Sequence, residues 1–402
     1  MDFKVMLVFA VSLLSTGNYA AAQKPDMDHL YLWGRGYAGY VFNNRVVLGS
    51  NVYPSVDLGA GVRTIPRDSS AFAAAYGYPK YGIGASVTFT SLLEVPESSR
   101  FGNYYSIYGY FERIVMRAGI FSASCRLETG FAYNPVRYSP VTNPLNLYVS
   151  SILMVHAAAG LGLDFRISPN WTLSLDIRAK HYSNGRSALP NYGLNMIEAG
   201  IAVKGCLHEL QDDVPVRSMK IRNGFEKGFT WQFALHSGAH CTASDWALYN
   251  SRVADPQLKQ TVFKAYPRFS FSLTAMYRYA LKYSSGLGLE VFWVPDLDVL
   301  ESNEQLLNTT ESSYEEPGYL PVYLGTALVQ EFHYRRFALN FALGLYPQRP
   351  NLGRSGDVSW NYQKAGLRYY LPVQTGLFVG IGMKANDFQE SEYVEFTVGV
   401  RL

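Results

Sequence analysis

The sequence predicts an all-β protein: an antiparallel transmembrane β-barrel with an even number of strands, between twelve and sixteen, and sixteen by pattern. Three observations predict it. Apolar and polar residues alternate with period two over runs of about 10–14 residues, long enough for a tilted strand to cross a bilayer. Short turns alternate with long polar loops, the asymmetry of barrels that carry short turns on the periplasmic side and long loops outside. The last residues, Val394 to Leu402, still alternate, as a closing barrel strand does.

Composition excludes the rival classes. With 35 Lys plus Arg against 32 Asp plus Glu, the net charge of +3 offers no field for nucleic acid. Charged residues at 17% and aromatics at 15% exclude a disordered chain. A mean hydropathy of −0.05 excludes a helical membrane bundle. Three Cys are too few for a disulfide-dense scaffold.

In chain order, residues 1–22 have the layout of a cleavable export signal. Lys4 supplies the base, Val5 to Leu14 the short apolar core, and Ala20, Ala21 and Ala22 the cleavage site before Gln23. Strands are predicted near 30–42, 54–63, 77–90, 104–117, 120–133, 150–168, 171–183 and 193–205. A second set falls near 227–239, 267–281, 285–295, 320–332, 336–346, 359–371, 375–385 and 391–402. The alternation is clearest in 171–180, where Trp171, Leu173, Leu175, Ile177 and Ala179 share one face. Thr172, Ser174, Asp176, Arg178 and Lys180 share the other, which is no apolar core. Four parts follow: the signal 1–22, barrel strands within 23–205, a periplasmic link 206–226, and barrel strands within 227–402. An even strand count puts the link on the periplasmic side and the 184–192 loop outside.

That outer hairpin holds the chemistry. His181 and Ser183 lie two apart at the end of a strand, so both emerge on one face, where an imidazole can serve a hydroxyl as general base. By parity that face is the apolar, lipid-facing one, where polar groups are disfavoured without a reason. On the next strand Asn195 shares the outward face with Ile197, Ala199, Ile201 and Val203. It is the expected partner that orients His181; Glu198, on the lumenal face, is the alternative and needs a bulge to reach it. Asn184 and the amides around Asn184 and Gly185 are oxyanion-hole candidates.

The run His181-Tyr182-Ser183-Asn184, followed by Pro190-Asn191-x-Gly193, resembles the active-site hairpin of the lipid A 3-O-deacylase (acyloxyacyl hydrolase) family. The match is close over about 15 residues; residues 23–149 resemble the family only as generic barrel strands, and the half after 206 is additional to its small eight-stranded members. The resemblance implies an outer-membrane esterase, with His181 as general base, Ser183 as nucleophile and Asn184 in the oxyanion hole. Smaller members carry Glu as the third member where this chain has Asn195. The partners implied are lipid A of lipopolysaccharide in the outer leaflet, the membrane, and the barrel-assembly machinery, with no nucleic acid; no cofactor or metal is required. The alternatives are a porin-like or structural barrel without catalysis, and an outer-membrane phospholipase.

Other constellations read as structural. His236 and His240 stand about 13 Å apart on a strand, too far for a metal pair. Cys125 belongs to the apolar face, and Cys206 and Cys241 fall at opposite strand ends. The acidic loop 296–316 reads as solvated. Arg126, Arg166, Arg178 and Lys180 face the lumen among Glu128, Asp164 and Asp176, which points to pairing rather than a charged pore.

Overall fold

The structure, a computed structural model, describes residues 30–42, 48–65, 71–96, 99–206, 225–247, 250, 255–260, 264–295, 321–348, 359–388 and 390–402. The export signal, most of the 206–226 link and nearly all of the acidic 296–316 loop lie outside the described residues.

Sixteen antiparallel strands are present, and they close as two barrels of eight. The first comprises β1 Leu30–Val41, β2 Val52–Arg63, β3 Lys80–Thr88, β4 Tyr104–Ala118, β5 Phe121–Tyr133, β6 Leu153–Arg166, β7 Trp171–Ser183 and β8 Leu194–Cys206. The second comprises β9 Gly228–His240, β10 Tyr266–Ala280, β11 Tyr283–Trp293, β12 Val322–Tyr334, β13 Phe337–Gln348, β14 Asn361–Tyr370, β15 Leu377–Asn386 and β16 Glu390–Arg401. β8 pairs back to β1, with Gly34 opposite Val203 and Tyr40 opposite Ile197, and β16 pairs back to β9. Neither sheet keeps a free edge, which a strand in hydrocarbon requires.

One departure from the sequence reading is local. The turn after β2 holds a short helix, α1 Ala71–Ala75, so β3 begins at Lys80 and not at 77. Alanine is the best helix former, and the helix is closed by a Schellman pair. The Tyr78 amide donates to Ala73 O and that of Gly77 to Ala74 O, with Gly77 at φ 71°.

Alternation sends the two kinds of side chain to opposite faces. Leu58, Ile107, Leu161, Leu287 and Leu328 are among the large apolar residues exposed on the outer walls. An eight-stranded barrel is only wide enough to be filled by its own side chains, and here the filling is ionic. In the first barrel Arg178 meets Asp57 at 2.6 Å, Glu128 at 3.0 Å and Glu198 at 2.6 Å. Arg126 pairs with Glu128 at 2.6 Å, Lys204 with Asp164 at 2.8 Å, and Arg35 with Asp176 at 3.0 Å. The second barrel repeats the device, with Lys364 between Glu290 and Glu395, Lys384 on Glu392 and Arg368 on Glu331. Paired charges plug both lumens.

The barrels touch at both ends. At the long-loop end the Cys241 amide donates to Arg186 O at 2.9 Å and its thiol to Ser187 O at 3.2 Å. At the short-turn end Tyr334 packs edge-on against Phe72, Tyr76 and Phe111, and Lys282 donates to Ala75 O at 3.0 Å.

Removing Arg178 leaves Asp57, Glu128 and Glu198 without their shared counter-ion. Arg178→Met is expected to cost about 3–5 kcal/mol, read as a lower urea midpoint of the refolded barrel in detergent.

Candidate active site

The outer ends of β7 and β8 and the loop between them build the site. In β7, Lys180 and Tyr182 turn inward, where Tyr182 is fully buried, stacks on Tyr104 at 4.6 Å and shares hydrogen bonds with Thr88 and Ser106. That inward anchor fixes the strand's parity, so His181 and Ser183 lie on the opposite face of β7 from Tyr182. The register then sets His181 opposite Asn195 on β8 and opposite Ala157 on β6.

His181 Nδ1 lies 2.7 Å from Asn195 Oδ1. An amide oxygen only accepts, so Nδ1 carries the proton and Nε2 keeps its lone pair. Glu198 is three residues further along β8 and in the lumen. It accepts from Tyr53 at 3.1 Å and Ser55 at 2.9 Å, and is gripped by Arg178 and Lys180. The structure thus brings Asn195 to the imidazole and holds Glu198 away from it.

Ser183 is 2% exposed, whereas His181 is half-buried. Its Oγ accepts from the Gly185 amide at 3.3 Å; among the described residues it makes no hydrogen bond to His181. Gly185 has φ 60°, a conformation that suits glycine. A Cβ there would also come within 2.5 Å of Val394 Cγ2 in the second barrel.

Asn184 was a candidate for the oxyanion hole, but both its donors hold the loop together. Its amide donates to Asn191 Oδ1 at 3.1 Å, and its Nδ2 donates to Ala188 O at 2.9 Å and Ser150 Oγ at 3.3 Å. Of the two neighbouring residues, Gly185 is the one whose N–H points at the serine oxygen.

Two contributors escaped the sequence reading. Gly193 has φ 68°, and a Cβ on it would sit 2.7 Å from His181 Cε1, so the ring packs in space that only glycine leaves. The Asn191-x-Gly193 spacing contains the signal without revealing the contact. The other is the second barrel, whose Cys241 pins the backbone of Arg186 and Ser187. Burial pushes the Cys241 thiol up to about 11, so it remains a donor at neutral pH. Nothing local in residues 181–195 could announce it.

The remaining candidates have structural partners. His236 is bonded to Thr397 and Ser272, and His240 to Glu392 O. Cys125, Cys206 and Cys241 are free thiols. No group of three or more His, Cys, Asp or Glu among the described residues could hold a metal ion.

Two family models match the chain: lipid A 3-O-deacylase over residues 80–204, and the C-terminal domain of acyloxyacyl hydrolase over 230–402. Similar solved structures include Neisserial surface protein A, 12% identical, covering 44% of this chain and 97% of its own, with a TM-score of 0.31. The outer membrane enzyme PagL is 17% identical over 44% of this chain and 99% of its own, with a TM-score of 0.28. The toluene transporter TodX of Pseudomonas putida is 8% identical over 100% of this chain and 93% of its own, with a TM-score of 0.18. No curated protein matches the chain.

Gly193→Ala is expected to destabilise the barrel by about 1–2 kcal/mol, the cost of a left-handed alanine. It should also drive the imidazole off Asn195, seen in NMR as loss of the protected Nδ1 proton of His181.

Proposed function

We propose that the chain, which matches the family models of lipid A 3-O-deacylase and of the acyloxyacyl hydrolase C-terminal domain, cleaves an ester-linked acyl chain from lipid A by a Ser183–His181 mechanism on its lipid-facing wall. The observation that carries the reading is the 2.7 Å bond from His181 to Asn195 on the face of β7 and β8 turned away from the lumen, with Ser183 two residues along the same strand. A polar pair in that setting has no part in the ionic packing that fills the lumen.

In this mechanism Asn195 holds the imidazole with Nε2 bare. As the ester docks, the Ser183 hydroxyl turns from the Gly185 amide toward Nε2, gives up its proton and attacks the carbonyl carbon. The Gly185 N–H, released from Oγ, receives the developing oxyanion. His181 then protonates the departing sugar oxygen, and a water activated by the same nitrogen frees the fatty acid. Ala157, Ala159 and Ala179 lie on the outer wall beside and below the pair, leaving a shallow strip along which an acyl chain can lie. The outer leaflet of an outer membrane presents lipopolysaccharide to this end of the barrel, so lipid A is the partner.

Mass spectrometry of lipid A from cells expressing the wild type or Ser183→Ala tests the assignment, with both proteins verified in the outer membrane. Loss of one hydroxyacyl mass with the wild type alone is the expected result. Loss with both removes Ser183 from the nucleophile's role, and loss with neither favours a non-catalytic barrel. Release of fatty acid from purified glycerophospholipid instead would make the protein a phospholipase.

Asn195→Ala is expected to lower kcat about 100-fold with little change in KM, because the imidazole loses its orientation. Asn195→Glu should recover at least the wild-type rate, since a carboxylate orients the ring and also stabilises the imidazolium. A rate for Asn195→Glu below that of Asn195→Ala would contradict the role given to this position.

A further inference from the structure

The lumen of the second barrel ends at its short-turn side in a cavity of about 260 Å³. Arg278 from the end of β10, Arg335 and Arg336 from the β12–β13 turn, and Arg401 from the end of β16 line it. His333, Tyr370 and Gln374 add polar surface, and none of the lining residues is acidic.

This is unlike the middle of the lumens, where Arg178, Lys204, Lys364 and Arg368 sit against carboxylates. Among the described residues none of these four guanidiniums forms an ion pair. Arg401 lies over the Tyr370 ring at 4.3 Å, and Arg278 donates to Leu281 O at 2.7 Å with Phe225 over its other face at 5.2 Å. Arg335 donates to the Tyr81 hydroxyl at 3.5 Å and lies over the Tyr334 ring at 5.9 Å. Glu331, deeper in the lumen, is already held by Arg368 at 2.7 Å, Tyr370 at 3.1 Å and Gln232 at 3.2 Å. Among the described residues, four cations on three separate chain segments converge on one space with no carboxylate in ion-pair contact, and they repel one another.

We propose that this mouth is a binding site for a phosphate group. Several forked guanidiniums match the three or more oxygens of a phosphate, with donors from different directions, better than they match one carboxylate. The volume lies just below the range of about 300–1,000 Å³ for drug-sized ligands, which suits a small anion or a headgroup and not a whole lipid. The site is at the opposite end of the molecule from Ser183 and stands apart from the hydrolase reading. The phosphate can belong to a soluble diphosphate or to the headgroup of a phospholipid in the inner leaflet.

Calorimetric titration of the full chain in maltoside micelles separates these sources. Inorganic pyrophosphate is one probe, and dihexanoyl phosphatidylglycerol below its micellar concentration is the other. Saturable binding of at least one is expected, weakened at least 10-fold in Arg278→Gln/Arg401→Gln and at least 3-fold in Arg336→Gln. Lys259→Gln, the same charge change at the long-loop end, should leave it within 2-fold. Heat-dependent gel mobility checks that every variant is folded; the single Arg336→Gln variant, in the β12–β13 turn, keeps the test open if the double variant is not. Binding of pyrophosphate alone assigns a soluble ligand, and binding of the lipid, with or without pyrophosphate, assigns a headgroup. No saturable binding of either probe, or equal binding by wild type and the folded Arg336→Gln, overturns the proposal.

Discussion

Every backbone amide that enters hydrocarbon must find its acceptor within the protein, and that demand shapes this molecule. The pairings of β8 with β1 and of β16 with β9 meet it by leaving no free sheet edge. Closure at eight strands then dictates the interior. The lumen is too narrow for water-filled passage, so inward side chains must fill it and satisfy one another. Charges such as Arg178 with Asp57 on β2 and Glu128 on β5 do so across the barrel, tying β7 to strands it does not pair with. The same inward packing fixes the parity of β7, and parity turns His181 and Ser183 away from the lumen. The location of the site thus follows from how the backbone is satisfied.

Sequence parity was enough to put Asn195 and Glu198 on opposite faces of β8, because a period of two leaves no ambiguity once one face of a strand is known. It was enough for the number of strands as well. How the strands close was not readable, since each run reports only its own two faces. Whether β8 meets β1 or β9 depends on a partner far away in the chain. A turn of α-helix at Ala71–Ala75 was also hidden, being too short to show a helical period.

Within the site the sequence supplied residue types and left the bonds open. Asn184 looked like an oxyanion donor because its position after the serine is right. Its hydrogen bonds to Asn191, Ala188 and Ser150 depend on a loop path that no spacing rule fixes. The arginines at the second barrel's mouth illustrate the same limit. Arg278, Arg336 and Arg401 are unremarkable strand-end and turn residues until the barrel closes and sets them around one opening.

The contact of Gly185, Arg186 and Ser187 with the second barrel has a consequence for traffic in the membrane plane. An isolated cylinder accepts a diffusing lipid from every compass direction. Here one flank of the hairpin is occupied by a neighbour of equal size, and contacts at the far end stop the pair from swivelling apart. The lipid of the proposed reaction would have to arrive from the open flank. The second barrel, which lends no side chain to the proposed bond-breaking steps, would act as a fixed bank that steers the approach.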